Sequence, residues 1–375
     1  MPDNQRYLAL DVFRGMTVCF MIIVNSPGSW HLAYPPLLHA KWHGFTPTDL
    51  VFPSFLFAVG NAMAFVMSKY EALGADVFWR KTIKRTLLIF LLGYLMYWFP
   101  FFREAQAGGG LELKPFAETR ILGVLQRIAL CYFFASIVLY FGSKNFSIWF
   151  SIVALLGYWM LSYAFGDPND PYSLVGNYGL KVDLMLFGER HMYHGEGIAF
   201  EPEGFLSTLP SIVNVIVGYW VGDYIRKNKS SYESIAKLLI VGVVFIFAAL
   251  VWDMYFPINK KLWTSSFVLL TVGLGTVTLA FLMYVIDIKR RQRWTHFFVV
   301  FGRNPLFIYL LSEIGLMILL MIPSRDNNVR DWLYHDFFGS FAGPLLASFL
   351  FAVFFMLACW TVGYVLDRKK IYVRV

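Results

Sequence analysis

The feature that most constrains this sequence is a series of ten long apolar stretches separated by polar connections. The apolar core of a bilayer is about 30 Å thick, and one helix crosses it with about 20 apolar residues. Only 15% of the residues are charged, which is too few to cover the surface of a soluble protein of 375 residues. The sequence therefore predicts an all-α polytopic membrane protein, with a single domain over residues 1–375. The ten predicted spans are 8–28, 49–68, 84–102, 119–141, 147–165, 205–223, 237–256, 264–287, 296–321 and 341–366.

The basic residues are distributed unevenly between the alternating connections. One set of connections, which includes both ends of the chain, carries 19 of the 32 lysines and arginines, and the opposite set carries ten. Because a basic excess marks the cytoplasmic side, both termini are predicted to be cytoplasmic. Two long connections, 29–48 and 166–204, are then predicted on the outer side. Topology accounts for the net charge of +8, so the charge does not indicate a nucleic-acid partner.

The first outer connection carries three histidines, and His39 is a candidate base. It is followed within ten residues by Trp42, His43 and Asp49. Histidine has an unperturbed pKa of about 6.5, so it can accept a proton near neutral pH. A histidine in a surface loop without any catalytic role is the commoner case. The histidines lack the spacing of known zinc motifs, and no metal is predicted.

The second outer connection is acidic, with seven aspartates and glutamates against Lys181 and Arg190. Glu201 and Glu203 lie near its end. An acidic loop of this length suits a cationic or polyhydroxylated ligand. An ordinary solvated loop explains the same composition, and both interpretations stay open.

Ionisable and amide side chains also occur inside the predicted spans, where they are costly and by default functional. Asp11 and Arg14 are three residues apart and could form a structural ion pair. The whole set extends from the cytoplasmic to the outer end of the spans, which indicates a polar path for an ion, a proton or an extended ligand. Its members are Asp11, Arg14, Asn25, Asp49, Asn61, Gln126, Arg127, Asn214, Arg303, Asn304 and Glu313.

Several motifs, in the same order along the chain, resemble those of the heparan-α-glucosaminide N-acetyltransferase family. The resemblance extends from about residue 6 to the end of the chain. Its motifs are Leu10-Asp11-Val12-Phe13-Arg14-Gly15, Val24-Asn25, His39-Ala40-Lys41-Trp42-His43-Gly44-Phe45-Thr46, Asp49-Leu50-Val51-Phe52-Pro53, Arg120-Ile121-Leu122-Gly123-Val124-Leu125-Gln126-Arg127, Glu201-Pro202-Glu203-Gly204 with Thr208 and Ser211, Pro257-Ile258-Asn259-Lys260-Lys261-Leu262-Trp263-Thr264-Ser265 and Gly302-Arg303-Asn304-Pro305.

The resemblance implies a transmembrane acetyltransferase that takes acetyl-CoA from the cytoplasm and acetylates an amino sugar on the far side. The key catalytic histidine of the lysosomal member of the family corresponds to His39, and an upstream asparagine corresponds to Asn25. As a base, His39 would remove the proton of the acceptor's ammonium group, and the Asn25 amide would donate to the oxyanion. Asp49 either orients His39 or caps the second span.

For the acetyl donor, Arg303 is the first candidate, because it lies at the cytoplasmic mouth of the path rather than in a loop. The other residues expected to bind the donor are Arg14, Asn61 and Arg127. The residues expected to bind the acceptor are Trp42, Glu201 and Glu203.

The sequence departs from the lysosomal member by lacking its large N-terminal luminal portion and by carrying Glu201 where aspartate is expected. It looks like a compact bacterial relative, so we expect a location in the bacterial inner membrane. The expected acceptor is a small amino sugar or the end of a cell-envelope glycan rather than heparan sulfate, and a homodimer is also expected. Two other classes stay open: a transporter of a sugar or an acyl group, and a non-catalytic protein that binds the acceptor.

Overall fold

The structure is a computed structural model that describes residues 7–104, 110–324 and 327–373. It is 70% helical, so the predicted helical class is confirmed. Its helices are α1 Leu8–Asn25, α2 Val51–Met63, α3 Met67–Leu73, α4 Ala75–Trp98, α5 Val124–Phe141, α6 Lys144–Phe165, α7 Tyr178–Phe187, α8 Thr208–Asn228, α9 Tyr232–Asp253, α10 Ser265–Met283, α11 Thr295–Arg303, α12 Pro305–Met321, α13 Val329–Trp332 and α14 Pro344–Arg368.

Short elements lie in the connections between these helices. Two small antiparallel ribbons follow α4 and α12, so the fold is not purely α-helical. They pair β1 Phe102–Glu104 with β2 Leu111–Leu113, and β3 Pro323–Ser324 with β4 Asn327–Asn328. The 3₁₀ turns are Pro35–Leu37, Pro47–Leu50, Phe116–Glu118 and Glu189–His191, and the π-helical turns are Tyr284–Ile288 and Leu333–Phe338.

Within the described residues, seven helical segments are long and apolar enough to cross a membrane, and α11 with α12 makes an eighth if the bent pair is one span. Helices α4 and α8 occupy the other two predicted spans but are more polar. Four basic residues lie in the first half of α4, and Asn214 and Asp223 lower the hydropathy of α8. The count of ten and the cytoplasmic termini therefore stay predictions. Arg6, Arg325 and Arg374, which entered the charge argument, lie outside the described residues.

The predicted span 296–321 is broken rather than continuous. Helix α11 ends at Arg303, α12 begins at Pro305, and the two axes are bent by 83°. Proline has no backbone N–H and disfavours helical backbone at the residue before it, here Asn304 with φ −130° and ψ 52°. The break leaves the Asn304 side chain free of the helix, and its Nδ2 donates to the carbonyl oxygen of Ile371, 3.1 Å away.

Glycines bring several of the central helices into backbone contact. A Cβ atom on Gly60 of α2 would lie 2.0 Å from the carbonyl oxygen of Val215 in α8. A Cβ atom on Gly15 of α1 would lie 1.8 Å from the carbonyl oxygen of Phe298 in α11. Small residues of this kind allow helices in a membrane to pack at short distance. The helices that carry the site are therefore held tightly to their neighbours.

The connections that the sequence assigned to the same side meet at the same end of the bundle. Trp42 of the first outer connection donates from Nε1 to the carbonyl oxygen of Tyr172 in the second, 2.8 Å away. At the opposite end, the Ser230 hydroxyl of a connection predicted inside donates to Asp287 (2.5 Å), the last residue of the predicted span 264–287. We call these ends outer and inner.

Candidate active site

Two cavities lie toward opposite ends of the bundle, and side chains of α2 and α5 stand between them. The inner cavity has a volume of about 480 Å³, and the outer cavity about 70 Å³. Phe55 of α2 and Ile128 of α5 line both cavities, and we call this pair the neck. Polar side chains that line the inner cavity are Arg14, Arg85, Arg303, Tyr132 and Tyr372. Those that line the outer cavity are Asn25, His39, Thr48, Glu203, Lys260 and Tyr309.

The outer cavity holds a histidine–carboxylate pair. His39 Nδ1 lies 2.6 Å from Asp49 Oδ1, and Asp49 Oδ2 accepts from the backbone N–H groups of Ala40 and Thr46. An ionised carboxylate only accepts hydrogen bonds, so Nδ1 of His39 carries the hydrogen and Nε2 keeps a lone pair. Asp49 and Thr46 also form a capping box at the turn before α2. Asp49 thus orients His39 and caps this turn, two roles that the sequence left as alternatives.

A third group, Lys260, contacts the same histidine. Its Nζ lies 3.0 Å from Nε2 and 3.2 Å from Nδ1 of His39, although the two residues are 221 positions apart. Burial and the charge of Lys260 lower the pKa of His39, while the bond to Asp49 acts in the opposite direction. The His39 side chain nevertheless retains 41% exposure, so a ligand can reach it from the outer end.

Asn25, at the C-terminal end of α1, faces the outer cavity as a hydrogen-bond donor. Its Nδ2 lies 3.2 Å from Oε1 of Glu313 in α12. The NH₂ group of Asn25 faces Glu313 and donates to it, and the amide oxygen points away. One N–H bond is used by Glu313, and the second remains for a ligand in the cavity.

Glu203 supplies a negative charge to the outer cavity. Arg120 holds it, with Nη2 2.7 Å from Oε2 of Glu203, and also binds Glu201. Burial alone would raise the pKa of Glu203, but the charges of Arg120, Arg127 and Lys260 outweigh it, and the pKa is lowered. Glu203 is therefore a carboxylate at neutral pH that lines the outer cavity, and the ion pair with Arg120 offsets part of its charge.

Two of the predicted donor-binding arginines line the inner cavity, each beside an acid. Arg14 Nη2 lies 2.6 Å from Oδ1 of Asp11, as the spacing of these two residues suggested. Arg303 forms an ion pair with Asp367 of α14. Both guanidinium groups still face the cavity, but a neighbouring carboxylate reduces the positive charge of each.

Arg85 differs, because in the described part of the chain it forms no ion pair. Its guanidinium group stacks on Tyr132, 4.7 Å from the ring centroid, and its Nε is buried without a hydrogen-bond partner. A guanidinium group with unused donors is suited to bind phosphate. Arg85 is therefore a stronger candidate for an anion ligand than Arg303.

Arg127 does not reach either cavity. It is fully buried, its guanidinium group stacks on Trp263 at 4.9 Å, and Nη2 binds the carbonyl oxygen of Gly204 at 3.0 Å. A second bond joins it to Ser207. The side chain thus supports the segment that carries Glu203, and its position gives no support to the predicted contact with the donor.

Three other predicted residues also lie away from the two cavities. Trp42 is bonded to Tyr172 and stands 5.8 Å under the ammonium of Lys261. Glu201 faces Arg120. Asn61 lines a separate chamber of about 240 Å³ beside the inner cavity, where both polar atoms of its amide are buried without partners.

The sequence reasoning missed Lys260 and Arg85 as site residues. Lys260 had a signal, since it lies in one of the motifs that carry the family resemblance, but nothing indicated which side chain it would contact. Arg85 had none, because its charge was already explained by topology. Among the described residues, no group of three or more His, Cys, Asp or Glu side chains is placed to hold a metal ion.

Fold and site together define a multi-pass membrane protein in which an arginine-lined cavity adjoins a second cavity with a histidine–carboxylate pair. The family description "Heparan-alpha-glucosaminide N-acetyltransferase, catalytic" matches residues 6–250, and the chain belongs to that family. It is 27% identical to heparan-alpha-glucosaminide N-acetyltransferase of Mus musculus, over 84% of this chain and 55% of that protein. The Homo sapiens protein of the same name is 26% identical, over 82% and 53%. The chain spans about half the length of these curated relatives.

Proposed function

We propose that the protein transfers the acetyl group of acetyl-CoA from the inner cavity to the amino group of a glucosamine-type sugar in the outer cavity. The observation that carries the proposal is the neck, where Phe55 and Ile128 line both cavities. The two cavities thus adjoin at these side chains, and the proposed route of the acetyl group runs between them from the arginines to His39. The names of the family and of the two relatives support acetyl transfer to a glucosaminide.

The inner cavity fits the anionic nucleotide end of acetyl-CoA. Arg85, Arg14 and Arg303 are placed to bind its phosphate groups. Helix α2 lines the whole passage from Val51 to Ala62, a length of roughly 17 Å at the rise of an α-helix. The long, thin pantetheine arm can follow this helix through the neck, and the thioester then lies beside Asn25 and His39.

The residues of the outer cavity divide the chemistry between them. Glu203 attracts the ammonium group of the acceptor, and His39 Nε2 accepts a proton as the nitrogen attacks the thioester carbonyl. The second N–H of Asn25 donates to the carbonyl oxygen as it becomes negative, and Asp49 stabilises the imidazolium. The C–N bond forms and the C–S bond breaks. Of the two protons that the ammonium group loses, His39 returns one to the thiolate of CoA and the other leaves to solvent.

We further propose ten spans, with α4 and α8 included, and the inner cavity on the cytoplasmic side. The basic excess at the inner end supports this orientation. The polarity of α8 is compatible with a span, because most of its side chains are buried among the other helices. A bacterial inner-membrane location and a small amino sugar as acceptor complete the proposal.

Purified protein in detergent tests the activity. With acetyl-CoA and glucosamine it is expected to release free CoA and to form N-acetylglucosamine in equal amounts, and without an amino sugar it should release much less CoA. Thiol titration and mass spectrometry measure the two products. Absence of CoA release with every amino sugar tried would contradict the proposal. Uptake of unmodified sugar into vesicles without CoA release would identify a transporter instead.

The proposed orientation in the membrane can be tested separately by labelling an introduced cysteine. Lys41 lies in the first outer connection, and the natural cysteines Cys19, Cys131 and Cys359 are buried, so Lys41→Cys adds a single reactive thiol. A membrane-impermeant maleimide is expected to label this introduced thiol only from the face opposite to the one at which acetyl-CoA supports transfer. Labelling from the acetyl-CoA face would refute the orientation.

The neck predicts a variant that blocks transfer without blocking donor binding. Phe55→Trp enlarges the side chain between the cavities, and we expect transfer to fall by up to about 10²-fold, the effect of a thioester misplaced by about 1 Å. Phe55→Leu keeps the passage open and is the matched control. Affinity for 3′-phospho-ADP, which needs only the inner cavity, should change little in both variants. Equal transfer rates in the two variants would argue against this route.

A further inference from the structure

His39 contacts two groups of opposite charge. Asp49 Oδ1 lies 2.6 Å from Nδ1, and Lys260 Nζ lies 3.0 Å from Nε2. Nζ is almost equally far from the two ring nitrogens, so the ammonium group lies over the face of the ring rather than along the lone pair of Nε2. Such a close approach favours a neutral ring, because an imidazolium would repel the ammonium group.

We propose that Lys260 is a positioning residue of the transfer reaction, whose ammonium group keeps His39 neutral and its Nε2 unprotonated until the acceptor displaces the lysine. The inference rests on the proposed function, because it concerns the same base. It also explains how His39 can act as a base although it is paired with Asp49. Asp49 alone favours the imidazolium form, in which His39 has no lone pair to accept a proton.

No other cation around His39 is placed to do the same within the part of the chain that the structure describes. Lys261, the next residue, is turned away, with Nζ 2.6 Å from Glu196 and 2.9 Å from the carbonyl oxygen of Lys41. The acids that face the outer cavity would stabilise a charged ring and so oppose Lys260. They are Asp49 before α2, Glu203 of the acidic connection and, through Asn25, Glu313 of α12.

The surroundings of Lys260 act on its charge in both directions. Burial is the largest effect and lowers the pKa of its ammonium group, while the carboxylates of Asp49 and Glu203 oppose this shift without reversing it. Burial and then Lys260 are the largest causes that lower the pKa of His39. The direction of the His39 shift thus agrees with the geometry, in which the ammonium group lies 3.0 Å from Nε2.

The test is a pH titration of His39, monitored by NMR of ¹⁵N-histidine-labelled protein in nanodiscs. The His39 signal is assigned as the one that disappears in His39→Gln. Lys260→Met removes the charge and keeps the length of the side chain, so the pKa of His39 is expected to rise by about one unit. Lys260→Gln should give the same shift if Lys260→Met does not fold. Lys260→Arg and the matched control Lys261→Met should shift it much less.

The pH profile of kcat/KM gives a second readout. In Lys260→Met the acidic limb of this profile should move to higher pH by the same amount as the pKa of His39. If Lys260 had a purely structural role, the rate would fall at every pH and the limb would not move. An unchanged His39 titration in Lys260→Met, or an equal shift in Lys261→Met, would overturn the inference. If the wild-type protein acetylates no amino sugar, the proposed function fails, but the titration still decides whether Lys260 controls the charge of His39.

Discussion

Replacing His39 by alanine is expected to reduce acetyl transfer to glucosamine by about 10²- to 10⁴-fold, the usual contribution of a general base. The protein should still fold, because this side chain is 41% exposed and lies in a connection rather than in a helix interface. Acetyl-CoA should still bind, because the inner cavity lies beyond the neck. The initial rate of CoA release and the affinity for acetyl-CoA by calorimetry measure the two quantities separately.

His43→Ala is the matched control for this prediction. His43 lies four residues away but does not line the outer cavity, and its ring nitrogen is 3.4 Å from Nδ2 of Asn259. His43→Ala should therefore reduce acetyl transfer far less than His39→Ala does. If His39→Ala kept its turnover and His43→Ala lost it, the base would be misassigned. If neither variant lost activity, the base would have to be sought among Asp49, Glu201 and Glu203.

Replacing Asn25 by alanine is expected to reduce kcat by about 10²- to 10³-fold, the usual effect of removing one donor to an oxyanion. The KM for glucosamine should change little, because the donor acts mainly on charge that develops in the transition state. Ser26→Ala is the control, since Ser26 is the next residue, is buried, and does not line the cavity. A similar loss in Ser26→Ala would indicate damage to the end of α1 rather than loss of the donor.

Most helices could be located from hydropathy, because a helix in a bilayer satisfies its own backbone hydrogen bonds and exposes apolar side chains. The predicted span 264–287 corresponds to α10 with its π-helical turn, Ser265–Ile288. Two details of the predicted spans were wrong, each for a physical reason. Helix α4 begins at Ala75 rather than at residue 84, because the basic residues in its first half interrupt the apolar run. The break before Pro305 was missed, although proline marks it, because the apolar character continues on both sides.

The site was predictable only where its parts are close in sequence. His39 and Asp49 lie ten positions apart in one connection and next to one turn, so their pairing could be anticipated. The pairs between Asn25 and Glu313, and between His39 and Lys260, join residues more than two hundred positions apart. Hydropathy and charge assign a residue to a depth in the membrane, but they do not say which helices are neighbours.

The backbone contacts at Gly60 and Gly15 determine which parts of the passage can move. Packed helices slide or rock against each other through a layer of side chains, and where a carbonyl oxygen meets a glycine there is no such layer. Helix α2, which carries Phe55, is therefore fixed to α8, and α1, which carries Asn25, is fixed to α11. A transporter that alternates between two open states needs one half to move against the other. Here we expect these helices to keep their relative positions during the reaction. The acetyl group then crosses the membrane because it is carried at the end of a long, flexible small molecule.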